Sequence, residues 1–159
     1  MESLFALRDF RIKSSDGLEI FGAGTSAWLI IDGTTHRLQR IEHVCTDMPC
    51  YPYNATDRQP GKIAPAPEMY LQARIVAGYT DLDVNHHVNN VSYLNWALNY
   101  LPVESKSLTI RSVEINFLSE ARLRSPVEIF YGSESEQIWI CSVRNPETEK
   151  EYCRIRLII

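Results

Sequence analysis

Residues 70–101, YLQARIVAGYTDLDVNHHVNNVSYLNWALNYL, carry the most structural information in the chain. From Tyr70 to Gly78, residues Leu71, Ala73, Ile75 and Ala77 fall on one face at the period-2 spacing of a half-buried strand. Further on, Val91, Leu94, Ala97, Leu98 and Leu101 recur at intervals of three and four, which forms one stripe of an amphipathic helix. Asn89 or Asn90 caps that helix, and Pro102 ends it. Between strand and helix lies a polar loop, Asp81 to Asn90.

Four strand-like stretches follow: Leu108 to Leu118, Val127 to Tyr131, Gln137 to Val143 and Tyr152 to Ile159. A lone amphipathic helix must bury its stripe on an apolar sheet face. The order of strand, helix and four strands therefore predicts an α+β fold, an antiparallel sheet wrapped around one central helix. Upstream, Phe5 to Lys13, Leu18 to Ile31 and Arg37 to Ile41 read as a meander. Its turns are Ser14-Ser15-Asp16-Gly17 and Asp32-Gly33-Thr34-Thr35, where each Asp-Gly pair suits a hairpin. Pattern then lapses and prolines gather at Pro49, Pro52, Pro60, Pro65 and Pro67. The expected division is a strands-only module over 1–42, a linker over 43–69 and a complete domain over 70–159. Three strands without a helix must be covered by the second module, another chain or a further segment.

The chain has 159 residues, with 16 Lys and Arg against 20 Asp and Glu, a net charge of −4. That balance argues against a protein that tracks nucleic-acid phosphates. Apolar residues at 45% and charged residues at 23% are ordinary globular usage and exclude disordered or collagen-like classes. Apolar runs such as Ala27 to Ile31 fall far short of the ~20 residues of a membrane helix, so no span is expected. Glu2 stands where a signal peptide has a base, which predicts a cytoplasmic, reducing location. Cys45, Cys50, Cys141 and Cys153 show no Cys-x-x-Cys spacing and read as reduced thiols.

Candidate chemistry concentrates in Asp81 to Asn90. A helix start offers unpaired N–H groups and a positive dipole end, which suit a developing oxyanion and hence acyl transfer. Carboxylates there orient or deprotonate water, and His87 or Asn85 hydrogen-bonds a carbonyl. The competing reading is a solvated, well-capped loop. Asp81, Asp83 and Asn85 match the first ligand positions of an EF-hand, but His86 and Ser92 stand where its glycine and final glutamate belong, so no metal is expected. Gly22 to Ala27 imitates a dinucleotide fingerprint, yet the strand-like Trp28 to Ile31 follows where a helix is required. Ser26 lacks the closing glycine of a nucleophile elbow. Glu120 ends a long predicted strand and precedes Arg122 and Arg124. Beside the helix start it would share a water with Asp83 as general base, and the arginines would meet a phosphorylated or acidic partner.

Asp83 to Asn90, with Val91 to Trp96 after it, resembles the signature of hot-dog-fold thioesterases. Its D-x-N-x-H-V-N-N form resembles fatty acyl-ACP thioesterases more than single-module acyl-CoA enzymes, whose loop has glycine where His86 stands. Arg8-Asp9-Phe10, Ser26 to Asp32 and Thr35 to Ile41 look like later strands of that family's first hot-dog module. The resemblance implies a hot-dog domain preceded by a partial one. It implies hydrolysis of a fatty acyl thioester on the phosphopantetheine arm of acyl carrier protein, without metal or cofactor. By position, Asp83, Asn85, His87 and Glu120 would be catalytic: Asn85 and His87 on the carbonyl, Glu120 activating water, Asp83 orienting the amide or histidine. Ala121 stands where some relatives carry cysteine, which disfavours a cysteine acyl-enzyme. The unmatched first half-module implies impaired activity and a homodimer or aggregate through exposed sheet. An acyl-CoA thioesterase and a non-catalytic acyl- or carrier-binding chain stand as alternatives.

Overall fold

A computed structural model describes residues 4–44, 53–103 and 109–159. Cys45, Cys50, Pro49, Pro52 and Leu108 lie outside the described residues. The chain forms two units, Met1–Gly61 and Lys62–Ile159.

In the first unit, β1 (Phe5–Lys13) and β2 (Ile20–Ile31) pair as an antiparallel hairpin, and β3 (Leu38–Gln39) adds to the end of β2. Gly17 takes a φ of +74° in the first turn, a left-handed conformation that a side chain would strain. In the second turn Asp32 Oδ1 accepts the N–H groups of Thr34 and Thr35 at 3.1 and 2.7 Å. There the left-handed residue is His36, not Gly33. The strands-only expectation is corrected at its end: a single helical turn, α1 (Ile41–Val44), follows β3, with Glu42 favourably placed at its start. Gly22 to Ala27 and Ser26 lie within β2, with no helix directly after them. Phe10, Ile12, Phe21 and Trp28 are exposed.

The second unit is a five-stranded antiparallel sheet of β4 (Tyr70–Val76), β5 (Ser112–Phe117), β6 (Pro126–Ser135), β7 (Ile138–Arg144) and β8 (Glu151–Ile158), in the order β4-β6-β7-β8-β5. A 3₁₀ turn (Tyr79–Asp81) and α2 (Asn90–Asn99) follow β4. Alternate residues of three strands point to one side: Val127, Ile129 and Tyr131 from β6, Cys141 and Val143 from β7, Cys153, Ile155 and Leu157 from β8. Against them α2 buries Tyr93, Trp96 and Ala97, and the Tyr131 hydroxyl donates to the Ala97 carbonyl at 2.7 Å. Burial of each large apolar side chain there contributes about 1.5 to 3 kcal/mol.

The helix stripe is rotated from the expected one. Val91 is exposed, Leu94 and Leu98 are half-buried, and the buried set is Ser92, Tyr93, Trp96 and Ala97. Two aromatic rings remove far more apolar area from water than a valine, so they set the rotation; Tyr93 packs edge-on to Trp96 with centroids 5.3 Å apart. In β4 a register shift between Leu71 and Ala73 turns Leu71 outward, while Ala73 and Ile75 pack on the core and Ala77 is buried.

Residues 62–69, expected to belong to the linker, are part of this second unit. They run across the outer face of the sheet, where Ile63, Ala66 and Met69 cover Ile140. The Asn116 side chain accepts the Ile63 N–H at 2.7 Å, and Arg154 donates to the Ile63 carbonyl at 2.8 Å. Pro65 and Pro67 bring no N–H to a ladder, so this cover is extended without being a strand. No helix among the described residues is long and apolar enough to cross a membrane.

Candidate active site

The loop before α2 is closed at its base by Asp81. Its carbonyl accepts the Asn89 N–H at 2.8 Å and the Ser92 hydroxyl at 3.2 Å, and its carboxylate accepts the Gly78 N–H at 2.8 Å. Above this, Leu82 and Val88 form an antiparallel bridge, and Asp83 N–H donates to the His87 carbonyl at 2.8 Å. Asp83 Oδ1 turns inward and accepts the N–H groups of Asn85 and His87 at 2.8 and 3.2 Å. Such a carboxylate substitutes for a backbone partner in a tight turn. His86 completes the turn at a φ of +60°. Of the two capping candidates Asn89 is the cap, its side chain accepting the Val91 N–H at 2.9 Å.

Glu120 arrives from the other side. The sequence places it at the end of a strand; β5 in fact stops at Phe117, and Glu120 lies beyond it. Leu118 and Ser119 donate to the Tyr152 carbonyl, and the chain then runs antiparallel to the loop. Val88 N–H donates to the Ala121 carbonyl at 2.9 Å, and His87 bridges Arg122. Side chains alternate across such a pair. Val88 and Ala121 therefore point into the core, 4% and 1% exposed, while His87, Glu120 and Arg122 share the outer side. His87 Nε2 lies 3.3 Å from Glu120 Oε2, with 30% of the His87 side chain and 68% of the Glu120 side chain exposed.

The four expected residues thus separate into three situations. His87 and Glu120 meet. Asp83 is committed to the turn rather than to a water shared with Glu120. Asn85 is exposed at the tip, its backbone N–H given to Asp83 and its side-chain amide without a hydrogen bond among the described residues. Arg122 and Arg124 are exposed and form no ion pair among the described residues. Sequence reasoning missed Tyr93, whose buried hydroxyl accepts the Ala121 N–H at 2.9 Å. Burial pushes that hydroxyl up to about 12, so it stays protonated at neutral pH. The only signal in the sequence is a tyrosine among the apolar positions of a helix. Among the described residues no group of three His, Cys, Asp or Glu could hold a metal ion. An exposed carboxylate with an imidazole nitrogen 3.3 Å away is equipped to take a proton from water next to a polarised carbonyl.

Residues 66–157 match the acyl-ACP thioesterase C-terminal domain. The chain belongs to this family. It is 31% identical over 108 residues to oleoyl-acyl carrier protein thioesterase 1 of Arabidopsis thaliana, a match covering 61% of this chain and 30% of that protein. It is 28% identical over 144 residues to a dodecanoyl-[acyl-carrier-protein] hydrolase of Cinnamomum camphora, covering 84% of this chain and 38% of that protein. The chain therefore spans well under half the length of these acyl-ACP thioesterases. An acyl-ACP thioesterase crystal structure from Bacteroides thetaiotaomicron superposes with a TM-score of 0.78 at 27% identity, covering 98% of this chain and 63% of that one. The 12:0-ACP thioesterase of Umbellularia californica, at a TM-score of 0.73 and 21% identity, shares the fold. The sheet around α2 is accordingly the hot-dog fold of acyl-ACP thioesterases.

Proposed function

We propose that this chain hydrolyses fatty acyl-ACP to a free fatty acid and acyl carrier protein, with water as the nucleophile. The observation that supports this most directly is the 3.3 Å approach of His87 Nε2, from the family-like motif, to Glu120 Oε2, from a separate segment. Glu120 takes a proton from water as the water oxygen bonds to the thioester carbonyl carbon. The oxyanion that forms is met by the exposed Asn85 amide, while His87 Nε2–H holds the Glu120 carboxylate and Asp83 holds the turn. Collapse breaks the C–S bond, and the phosphopantetheine thiolate takes the proton back from Glu120. The products place the reaction at the end of acyl-chain elongation in fatty acid biosynthesis. Self-association belongs to the same proposal, motivated by the exposed Phe10, Ile12, Phe21 and Trp28.

The test is free-thiol release from matched acyl-ACP and acyl-CoA by the full chain and by Glu120→Gln, with light scattering on the same samples. Faster release from acyl-ACP, reduced at least ~100-fold in the variant as for loss of a general base, is the expected result. No release from a folded, monodisperse sample would overturn the proposal, and faster release from acyl-CoA would reassign the donor.

A further inference from the structure

Helix α2 is tied into its unit by a tyrosine hydroxyl at each end. Near its N-terminus, Tyr93 accepts the Ala121 N–H at 2.9 Å; near its C-terminus, Tyr131 donates to the Ala97 carbonyl at 2.7 Å. Both tyrosines are buried, at 2% and 1% exposure, but among the described residues it is the Tyr93 hydroxyl, not that of Tyr131, that bonds the segment carrying Glu120. With a side chain 68% exposed, Glu120 is not held by packing. Its place is set by the backbone on either side: Leu118 and Ser119 donate to Tyr152, and Ala121 is bonded to Val88 through its carbonyl and to Tyr93 through its N–H. At 1% exposure Ala121 has no access to water, so without Tyr93 its N–H is a buried, unpaired donor. The Tyr93 ring is itself fixed by Trp96, Phe117 and Tyr152, with centroids 5.3, 6.0 and 6.4 Å away.

We propose that Tyr93 is a positioning residue for Glu120, acting through the Ala121 N–H to keep the carboxylate beside His87. This rests on the reading of Glu120 and His87 as the reacting pair. Removal of the hydroxyl leaves the ring in place and relieves the orphaned N–H by a shift of residues 120–122, which carries Glu120 with it. A misplacement of about 1 Å in a catalytic group lowers rates on the order of 100-fold.

The experiment compares Tyr93→Phe with Tyr131→Phe in the full chain, reading melting temperature, kcat and KM on acyl-ACP, and the ring ¹⁵N signals of His87. Both variants are expected to melt at lower temperature. Only Tyr93→Phe lowers kcat, by about 10- to 100-fold with KM nearly unchanged, and moves the His87 signals toward those of Glu120→Gln. Lactic acid in place of Ala121 exchanges its N–H for an ester oxygen with Tyr93 intact, and gives the same split should Tyr93→Phe fail to fold. Wild-type kcat and His87 signals in Tyr93→Phe or in the ester variant would overturn the proposal, as would an equal loss of kcat in Tyr131→Phe. If the unaltered chain releases no thiol, the proposed activity fails, while the His87 signals still report whether Tyr93 positions Glu120.

Discussion

Asp83 Oδ1 accepts the backbone N–H of His87 at 3.2 Å while the same oxygen holds the N–H of Asn85 at 2.8 Å. One carboxylate oxygen therefore orients both the residue proposed to meet the oxyanion and the residue proposed to hold Glu120. An asparagine side-chain oxygen fills the same role, and an alanine does not. Asp83→Asn is expected to retain kcat within about 10-fold, and Asp83→Ala to lose about 100-fold, because hydrogen bonds to a charged group contribute about 1.5 to 3 kcal/mol. An Asp83→Asn variant as inactive as Glu120→Gln would make Asp83 the base and sink this account.

His86 holds a φ of +60°, where a side chain crowds the following carbonyl. This explains in physical terms why a glycine suits the position. His86→Gly is expected to raise stability by up to about 1 kcal/mol, reduced by the freedom glycine brings to the unfolded chain. His86→Val should lower it by about 1 to 2 kcal/mol, since a β-branched residue tolerates that conformation worst. Urea titrations of both variants check the order, and a stabilised valine variant would contradict it.

Gly132 lies directly beneath the strap of residues 62–69. A Cβ placed on it would stand 2.0 Å from the Glu68 carbonyl oxygen and 2.7 Å from the Ala66 Cβ. Backbone cannot yield as a side chain does, so Gly132→Ala should displace the strap and destabilise by about 2 to 3 kcal/mol. Proteolysis within residues 62–69 should accelerate in step. An unchanged denaturation midpoint with unchanged cleavage would show that the strap does not press on β6.

Burial pushes the Cys141 thiol up to about 12 and the Cys153 thiol well above its usual range. A thiolate is the reactive form, so both should resist iodoacetamide at pH 8 until the fold is lost, as mapped by mass spectrometry of the labelled peptides. The sign of the pH effect follows. Between the unfolded thiol value of about 8.5 and the raised folded values, the native chain binds more protons than the unfolded one, so stability falls as pH rises. Tyr93 adds to this at higher pH. Melting temperature should drop steadily from pH 9 to 11 and be flat between pH 7 and 8. Labelling of Cys141 in the native state at the unfolded rate would refute the buried placement.

Much of this arrangement is legible locally. The Asp-x-Asn turn needs only Asp83 and the N–H groups two and four residues on, and Asn89 caps α2 within its own first turn. The alternation in β6, β7 and β8 is a property of each strand alone. Where sequence reasoning slipped, a competing contact came from elsewhere in the chain. Tyr93 and Trp96 found aromatic and sheet partners and took the core positions from Val91. The bulge between Leu71 and Ala73 broke an alternation that looked continuous.

Element order in the second unit, the polar loop and the identities of its candidate residues follow from the amino-acid order, because turn chemistry, capping and side-chain period act over a few neighbouring residues. The rotation of α2, the strap over Gly132 and the meeting of His87 with Glu120 do not. Each depends on burial and hydrogen bonding between segments far apart in the chain: Tyr93 with Ala121, Ile63 with Asn116, Val88 with Ala121. The chain can name Glu120 and His87 as candidates, but the distance between them exists only once the backbone of residues 120–122 is paired with residues 87–88.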